Sequence, residues 1–253
     1  MFDVAADSYD RYMGRYAIPL APRFAEFAGV QPGWRVVDVG AGPGALTGVL
    51  AEIVGQSAVA AVDPSEPFVA TNRDRHPDAE VLVGSAERLP FDDGSFDAAL
   101  AQLVVQFMDD PVVGVAEMGR VTRPGGVVAA CVWDFGTGRA PLSAFWTAAL
   151  AVDPSLKGER DLAGVAPGQL TRIFEDAGLD AVEESEVAVT LDLGDFDAWW
   201  QPMTLGVGPA GSWLAAQPAE AQAVVRERCR EVYPDAPGIG TAVVWAARGR
   251  APG

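Results

Sequence analysis

Short hydrophobic runs recur through the first half of the chain, each followed by a segment with helical spacing. Trp34-Arg35-Val36-Val37-Asp38-Val39 reads as a buried strand that ends in a glycine-rich turn, and residues 45–54 as the helix behind it. Residues 58–62, 79–83, 96–101 and 127–133 repeat the strand pattern. Helices are predicted at 65–75 and at 111–122, the latter stopped by Arg123-Pro124-Gly125-Gly126. Apolar runs that alternate with helices predict a parallel sheet buried on both faces. Right-handed crossovers make that a doubly wound α/β fold.

The flanks follow other rhythms. Tyr9, Tyr12, Tyr16, Leu20, Phe24 and Phe27 lie three and four apart but are interrupted by Pro19 and Pro22. This spacing predicts two short covering helices, not one long one. Beyond residue 136, helices are expected at 141–151 and 167–177, with Gly178 as a stop, and strands at 187–191 and 241–246. The stretch between those strands is rich in Trp, Gly and Pro, carries a helix at 219–232, and is longer than a connector needs. The expected organisation is an N-terminal helical cap over residues 1–30 and a ligand-binding core over 31–136. Residues 137–253 then complete the sheet, with a helical insertion at about 192–236.

Charge narrows the partners. The 253 residues hold 18 Lys and Arg against 35 Asp and Glu, a net charge of −17, with Lys157 as the single lysine. Nucleic-acid binding depends on cationic side chains replacing counterions, so neither nucleic acid nor an anionic membrane is an expected partner. Small molecules are. Met1 to Asp7 has neither the basic nor the apolar region of a secretory signal, and no apolar run is long enough to span a membrane. Cys131 and Cys229 are too few for a disulfide framework or a zinc site, which makes a reducing, cytoplasmic location the expectation and no metal the default. His76, the single histidine, precedes Pro77 in a connection away from the expected site and reads as a surface residue.

Chemistry concentrates at strand ends. Asp38-Val39-Gly40-Ala41-Gly42-Pro43-Gly44 closes the first strand. Glycines there permit a tight turn and close approach of a ligand to helix N–H groups. Gly40-x-Gly42-x-x-Ala45 also satisfies the dinucleotide fingerprint, and a glycine turn without a ligand is a third reading. Asp63, at the tip of the second strand, suits ribose hydroxyls or a helix N-cap. Neither feature separates NAD from another adenosyl cofactor.

A third segment does. Gly84-Ser85-Ala86-Glu87-Arg88-Leu89-Pro90-Phe91 leads to Phe96-Asp97, and Arg123-Pro124-Gly125-Gly126 precedes the fifth strand. With the glycine turn and Asp63, this order of motifs over roughly residues 30–135 resembles the class I S-adenosylmethionine-dependent methyltransferases, in particular the ubiquinone/menaquinone-biosynthesis-like (type 11) group. The resemblance implies a mostly parallel, seven-stranded Rossmann-like sheet with an antiparallel last strand and a helical cap. It also implies S-adenosyl-L-methionine as cofactor. Asp38 and the turn Gly40, Ala41 and Gly42 would hold the methionine end, Asp63 the ribose, and Pro64, Ala86 and Glu87 the adenine. Gln102 would contact the methionine moiety through its backbone; Arg15 would reach the cofactor carboxylate or stand as a solvated charge.

The acceptor side is read from the covers. Tyr9, Tyr12 and Gln106 are candidates for orienting an acceptor, and no side chain is singled out as a catalytic base. Trp133, Trp199, Trp200 and Met203 belong to an aromatic group that reads either as core or as a cap over a small apolar or aromatic acceptor. Adjacent Trp199 and Trp200 are not expected to face inward together, so one should line a cleft or a subunit interface, such as that of a homodimer. The leading expectation is a methyltransferase acting on a small metabolite. An NAD- or FAD-dependent oxidoreductase and a non-catalytic cofactor-binding module are the alternatives.

Overall fold

The computed structural model describes residues 9–192, 194–232 and 239–253, so the reading of Met1 to Asp7 and parts of the late insertion lie outside the described residues. Seven strands form one sheet: β1 (Val36–Val39), β2 (Val59–Asp63), β3 (Glu80–Val83), β4 (Phe96–Gln102), β5 (Thr122–Trp133), β6 (Asp180–Asp192) and β7 (Ile239–Arg250). Their order is β3-β2-β1-β4-β5-β7-β6. β1 to β5 run parallel, and β7 lies antiparallel between β5 and β6. The central strands β1 and β2 are buried along their whole length, as their continuous Val and Ala runs require.

Helices α2 (Ala45–Val54), α3 (Glu66–Arg75) and α4 (Pro111–Val121) make the crossovers. Asp110 caps α4, its Oδ1 accepting the N–H groups of Val112 and Val113 at 3.1 Å each. Four sequence expectations need correcting here. The N-terminal segment is not two helices: a wide, π-type turn at Asp10–Gly14 runs straight into α1 (Arg15–Ala28), which continues through both prolines. Pro22 is exposed and Pro19 half-buried, whereas Tyr16, Leu20 and Phe24 on the other face are fully buried. Each large side chain contributes about 1.5–3 kcal/mol of burial, enough to offset the two interrupted backbone bonds.

β5 starts at Thr122, earlier than expected, because Phe96 pairs with Thr122 and the ladder resumes at Ala98 and Val127 after a register shift. The Arg123-Pro124-Gly125-Gly126 segment is thus an irregularity within the strand rather than a turn before it. β6 and β7 also exceed their predicted lengths. The exposed edge of β6 carries Glu183, Glu184 and Glu186, which hide its strand character from a hydrophobicity pattern. Two of these carboxylates are matched by arginines, Glu183 by Arg248 and Glu186 by Arg139, both at 2.7 Å.

Helices α5 (Ser143–Val152) and α6 (Gln169–Asp176) follow β5; Gly178 terminates α6 as expected, its N–H bonding to Glu175 O at 3.0 Å. Between β6 and β7 lie α7 (Phe196–Trp200), a tighter turn at Gln201–Leu205, α8 (Gly208–Ala215) and α9 (Ala219–Val232). Trp199 and Trp200 are both buried, at 1% and 7% exposure, and Met203 is fully enclosed. The expectation that one tryptophan must face a cleft fails because α7 is short and covered from more than one side. Trp200 stacks on Phe196 at 6.2 Å and meets Phe145 of α5 at 6.4 Å, and Trp199 packs on Phe196 at 6.0 Å. Trp200→Ala is therefore expected to destabilise the fold by about 3–5 kcal/mol, measured by denaturant unfolding, instead of acting selectively on a ligand.

Candidate functional site

A cleft of about 830 Å³ opens beyond the carboxyl ends of β1, β2 and β4, where ligands of open α/β sheets bind. Its walls include Gly40, Gly42, Asp63, Pro64, Ala86, Glu87, Gln102 and Tyr9, which the sequence had singled out separately. Chain elements from residue 9 to residue 109 converge on it.

The glycine turn forms its floor. Gly40 has φ +70°, and a Cβ at that position would come within 2.4 Å of a Val104 methyl group. Gly42 has φ +53° and nothing within 4 Å of where its Cβ would be, which leaves its backbone open to a ligand. The N–H groups of Gly40 and Ala41 both bond to Val62 O, at 2.7 and 3.1 Å, tying the turn to β2.

Asp63 is not the N-cap of α3, which is Ser65; its carboxylate ties two backbone segments together. One carboxylate oxygen accepts the Gly42 N–H at 2.8 Å and the other accepts the Ser65 N–H at 2.8 Å. Burial raises its pKa, and those two backbone bonds pull the other way by stabilising the ionised form. Asp38, 1% exposed, accepts the Thr47 hydroxyl at 2.7 Å. Burial pushes Asp38 up to about 7, with the Thr47 bond opposing it and the nearby Asp63 charge adding to it. The Asn72 amide donates to Thr47 Oγ1 at 3.0 Å and to Gly42 O at 3.3 Å. A connected polar network thus braces the turn from below.

The cover is attached to the same turn. Arg75 pairs with Asp10 at 2.5 Å and donates to Pro43 O at 3.1 Å. Tyr9 lies against Phe68 with ring centroids 5.1 Å apart. Gln102 donates to Ala17 O at 3.1 Å, which joins the end of β4 to α1. Across the cleft, burial alone would raise the pKa of Glu87. Bonds from the Ser85 hydroxyl and from the N–H groups of Glu87, Asp109 and Asp110 outweigh it and lower that pKa. Burial first, then the Asp63 and Asp10 charges, raises the Tyr9 hydroxyl, and burial also raises Tyr12. Both phenols are neutral at physiological pH.

Tyr12, Gln106 and Trp133 do not line the main cleft. They meet in a smaller chamber of about 20 Å³ that also touches Tyr9 and Glu159. Other candidates lie elsewhere. Arg15 points at the late insertion and donates to Ala198 O at 2.8 Å. Asp38 and Ala41 sit beneath the cleft wall, not in it, and Trp199, Trp200 and Met203 are core. His76 is not a plain surface residue: it is half-buried, with Nε2 3.3 Å from Gly44 O, and burial lowers its pKa.

Residue-by-residue reading missed Thr47, Asn72 and Glu159. Thr47 and Asn72 occupy the buried faces of α2 and α3, and polar residues within otherwise apolar helical stripes were the available signal. Glu159 opens a single 3-10 turn (Glu159–Asp161) between α5 and α6, where the sequence pattern carries no sign of burial.

Residues 37–130 match the methyltransferase domain family. A demethylmenaquinone methyltransferase of Beutenbergia cavernae is 43% identical over 98 residues, 39% of this chain and 40% of that protein. A ubiquinone/menaquinone biosynthesis C-methyltransferase of Burkholderia orbicola is 37% identical over 116 residues, 42% of this chain and 48% of that protein. The chain spans less than half the length of each of these two curated relatives. Among solved structures, a phosphoethanolamine N-methyltransferase of Haemonchus contortus superposes with a TM-score of 0.61 at 18% identity, covering 98% of this chain and 57% of that one. An S-adenosylmethionine-dependent methyltransferase of Thermotoga maritima does so with a TM-score of 0.54 at 21% identity, covering 97% and 98%. These structures share the fold.

The Asp38 geometry yields a prediction. A carboxyl whose pKa rises on folding favours the native state at low pH, and that contribution is lost as pH climbs from the unfolded value toward the folded one. Asp38→Asn should therefore raise thermal stability relative to the parent chain more at about pH 8 than at about pH 5, as read by melting curves at both. Gly40→Ala should destabilise the chain and abolish ligand binding, because it combines a left-handed φ with the Val104 collision.

Proposed function

We propose, on the premise that residues 37–130 are a methyltransferase domain, that this chain transfers the methyl group of S-adenosylmethionine to a small, largely apolar acceptor. One observation carries the reading beyond the fold. Asp63, Glu66, Glu87 and Asp109 line the cleft, and among the described lining residues there is no Lys, Arg or His. An anionic wall attracts a cationic sulfonium nucleoside and repels the pyrophosphate of a dinucleotide. The oxidoreductase alternative has no support from this wall or from the relatives.

The donor set fits the cofactor. Asp63 keeps lone pairs free beyond its two backbone bonds, which suits ribose hydroxyls at the β2 tip. Pro64, Ala86 and Glu87 border the position of the adenine, and the bare backbone of Gly40 and Gly42 lies beside that of the amino-acid end, with Gln102 opposite. Asp38 acts from beneath, through Thr47 and the turn. When bound, the cofactor supplies an electrophilic methyl group on a positively charged sulfur. The chain orients it, and Tyr9, Leu103 and Phe107 screen the inner end of the cleft from water. The acceptor's far end points toward Tyr12, Gln106 and Trp133.

The net charge of −17 supports a metabolite over nucleic acid as acceptor, and two buried free thiols suit a reducing cytoplasm. No helix among the described residues is long and apolar enough to cross a membrane.

Calorimetric titration is expected to give saturable binding of S-adenosylhomocysteine and none of NAD, with Asp63→Ala weakening the former at least about tenfold. Tight NAD binding alone would reject the proposal. Labelled methyl groups should pass from the cofactor to a component of a metabolite extract; cofactor binding without any transfer would leave a binding module instead of an enzyme.

A further inference from the structure

A small chamber adjoins the cleft and gathers several buried polar atoms within a mostly apolar lining. Its volume of about 20 Å³ admits roughly one water-sized group. It shares Tyr9, Leu103 and Phe107 with the main cleft, so the two spaces adjoin at those side chains. Glu159 lines it at 4% exposure, with Oε2 accepting the Trp146 indole N–H at 2.7 Å.

Three other lining residues carry buried polar atoms without a hydrogen-bond partner among the described residues: Tyr12 Oη, Gln106 Oε1 and Trp133 Nε1. Tyr12, Gln106 and Trp133 are only 2%, 6% and 2% exposed. Leaving such atoms unpaired forfeits their hydration without replacement, so this concentration calls for a ligand group that can pair with them. The set holds both kinds of partner: carboxylate and amide oxygens accept, the indole N–H donates, and the phenol does either. An ammonium group donates only and would leave Trp133 Nε1 unmatched. A hydroxyl donates and accepts at once. The walls toward the cleft are apolar, which suits the rest of such a molecule.

We propose that the chamber is the acceptor's recognition subsite, where Glu159 receives the hydrogen bond of a single hydroxyl on an otherwise apolar acceptor and Trp133 donates to that hydroxyl's oxygen. The proposal rests on the methyltransferase reading for the use of the site, and it makes Glu159 a specificity-determining residue. Burial raises the Glu159 carboxyl to about 7, opposed by the Trp146 bond. Tyr9 and Tyr12 of the N-terminal segment are the other titratable groups lining the chamber; the segment at 103–107, β5 and α8 contribute none to it. As pH rises through about 7 the carboxylate forms, and its charge-assisted bond to the hydroxyl strengthens.

The test uses the whole chain saturated with S-adenosylhomocysteine, with 2-naphthol and naphthalene as probes. In the parent chain 2-naphthol should bind at least about tenfold tighter than naphthalene, and its affinity should increase several-fold between about pH 6 and pH 8. Glu159→Gln retains an acceptor for Trp146; it should leave S-adenosylhomocysteine affinity unchanged and flatten the pH dependence. The indole N–H resonance of Trp146 should titrate near pH 7 in the parent chain and not in the variant. Equal affinity for the two probes in the parent chain overturns the subsite without requiring any variant to fold. So does an identical pH profile in both proteins. Failure of the parent chain to bind S-adenosylhomocysteine rejects the methyltransferase reading itself, a separate result from a bound cofactor with no preference for the hydroxyl.

Discussion

The carboxylate of Asp63 is the contact on which the cleft depends. It accepts the N–H of Gly42 from one direction and that of Ser65 from the other, joining the turn after β1 to the start of α3. A backbone turn with three left-handed glycines, Gly40, Gly42 and Gly44, has no side chains to hold its shape. An anion with two fixed donors supplies what the glycines lack, because charge-assisted bonds to backbone N–H groups are about twice as strong as neutral ones. The rest of the bracing is arranged around that bond: Asn72 on the Gly42 carbonyl, Thr47 between Asn72 and Asp38, and Arg75 and His76 on the carbonyls that follow.

Acidity has a different function at each depth. On the surface it is a solubilising charge, and along the cleft wall it is a field that selects for cations. In the interior, at Asp38 and Glu159, burial moves the carboxyl toward neutrality, so these groups exchange protons near pH 7. One lies beneath the glycine turn of the main cleft and the other lines the small chamber, so the two spaces respond to pH through separate residues.

Much of this was legible in the chain itself. The alternation of Val- and Ala-rich runs with helices marked β1 to β4 within two residues, most clearly for β1 and β2, which are buried along their whole length. The glycine turn, Asp63 and the Ala86–Glu87 loop could be read as one site because their order along the chain maps onto neighbouring strand ends. Legibility failed where tertiary packing overrode local rules. Pro19 and Pro22 did not break α1, since its opposite face is anchored by aromatic burial. Trp199 and Trp200 both went inward because so short a helix can be enclosed on several sides. Glu159 stayed invisible: burial of a charge is decided by residues far away in sequence, here Tyr12, Gln106, Trp133 and Trp146.

The helical insertion has one further property that follows from where it leaves and rejoins the sheet. Asp192 and Ile239, at its two ends, are paired neighbours across β6 and β7. Topologically the insertion is an excursion from a hairpin, and the ladder already holds its ends together. Loop-closure entropy grows only slowly with length, so holding the two ends of such an excursion together costs the sheet little whatever its length. The turn after β1, by contrast, is held by α2, α3 and the N-terminal segment together, and a change there must be matched in several places. A change in chain length is therefore absorbed more readily in the insertion than at the turn that shapes the cleft.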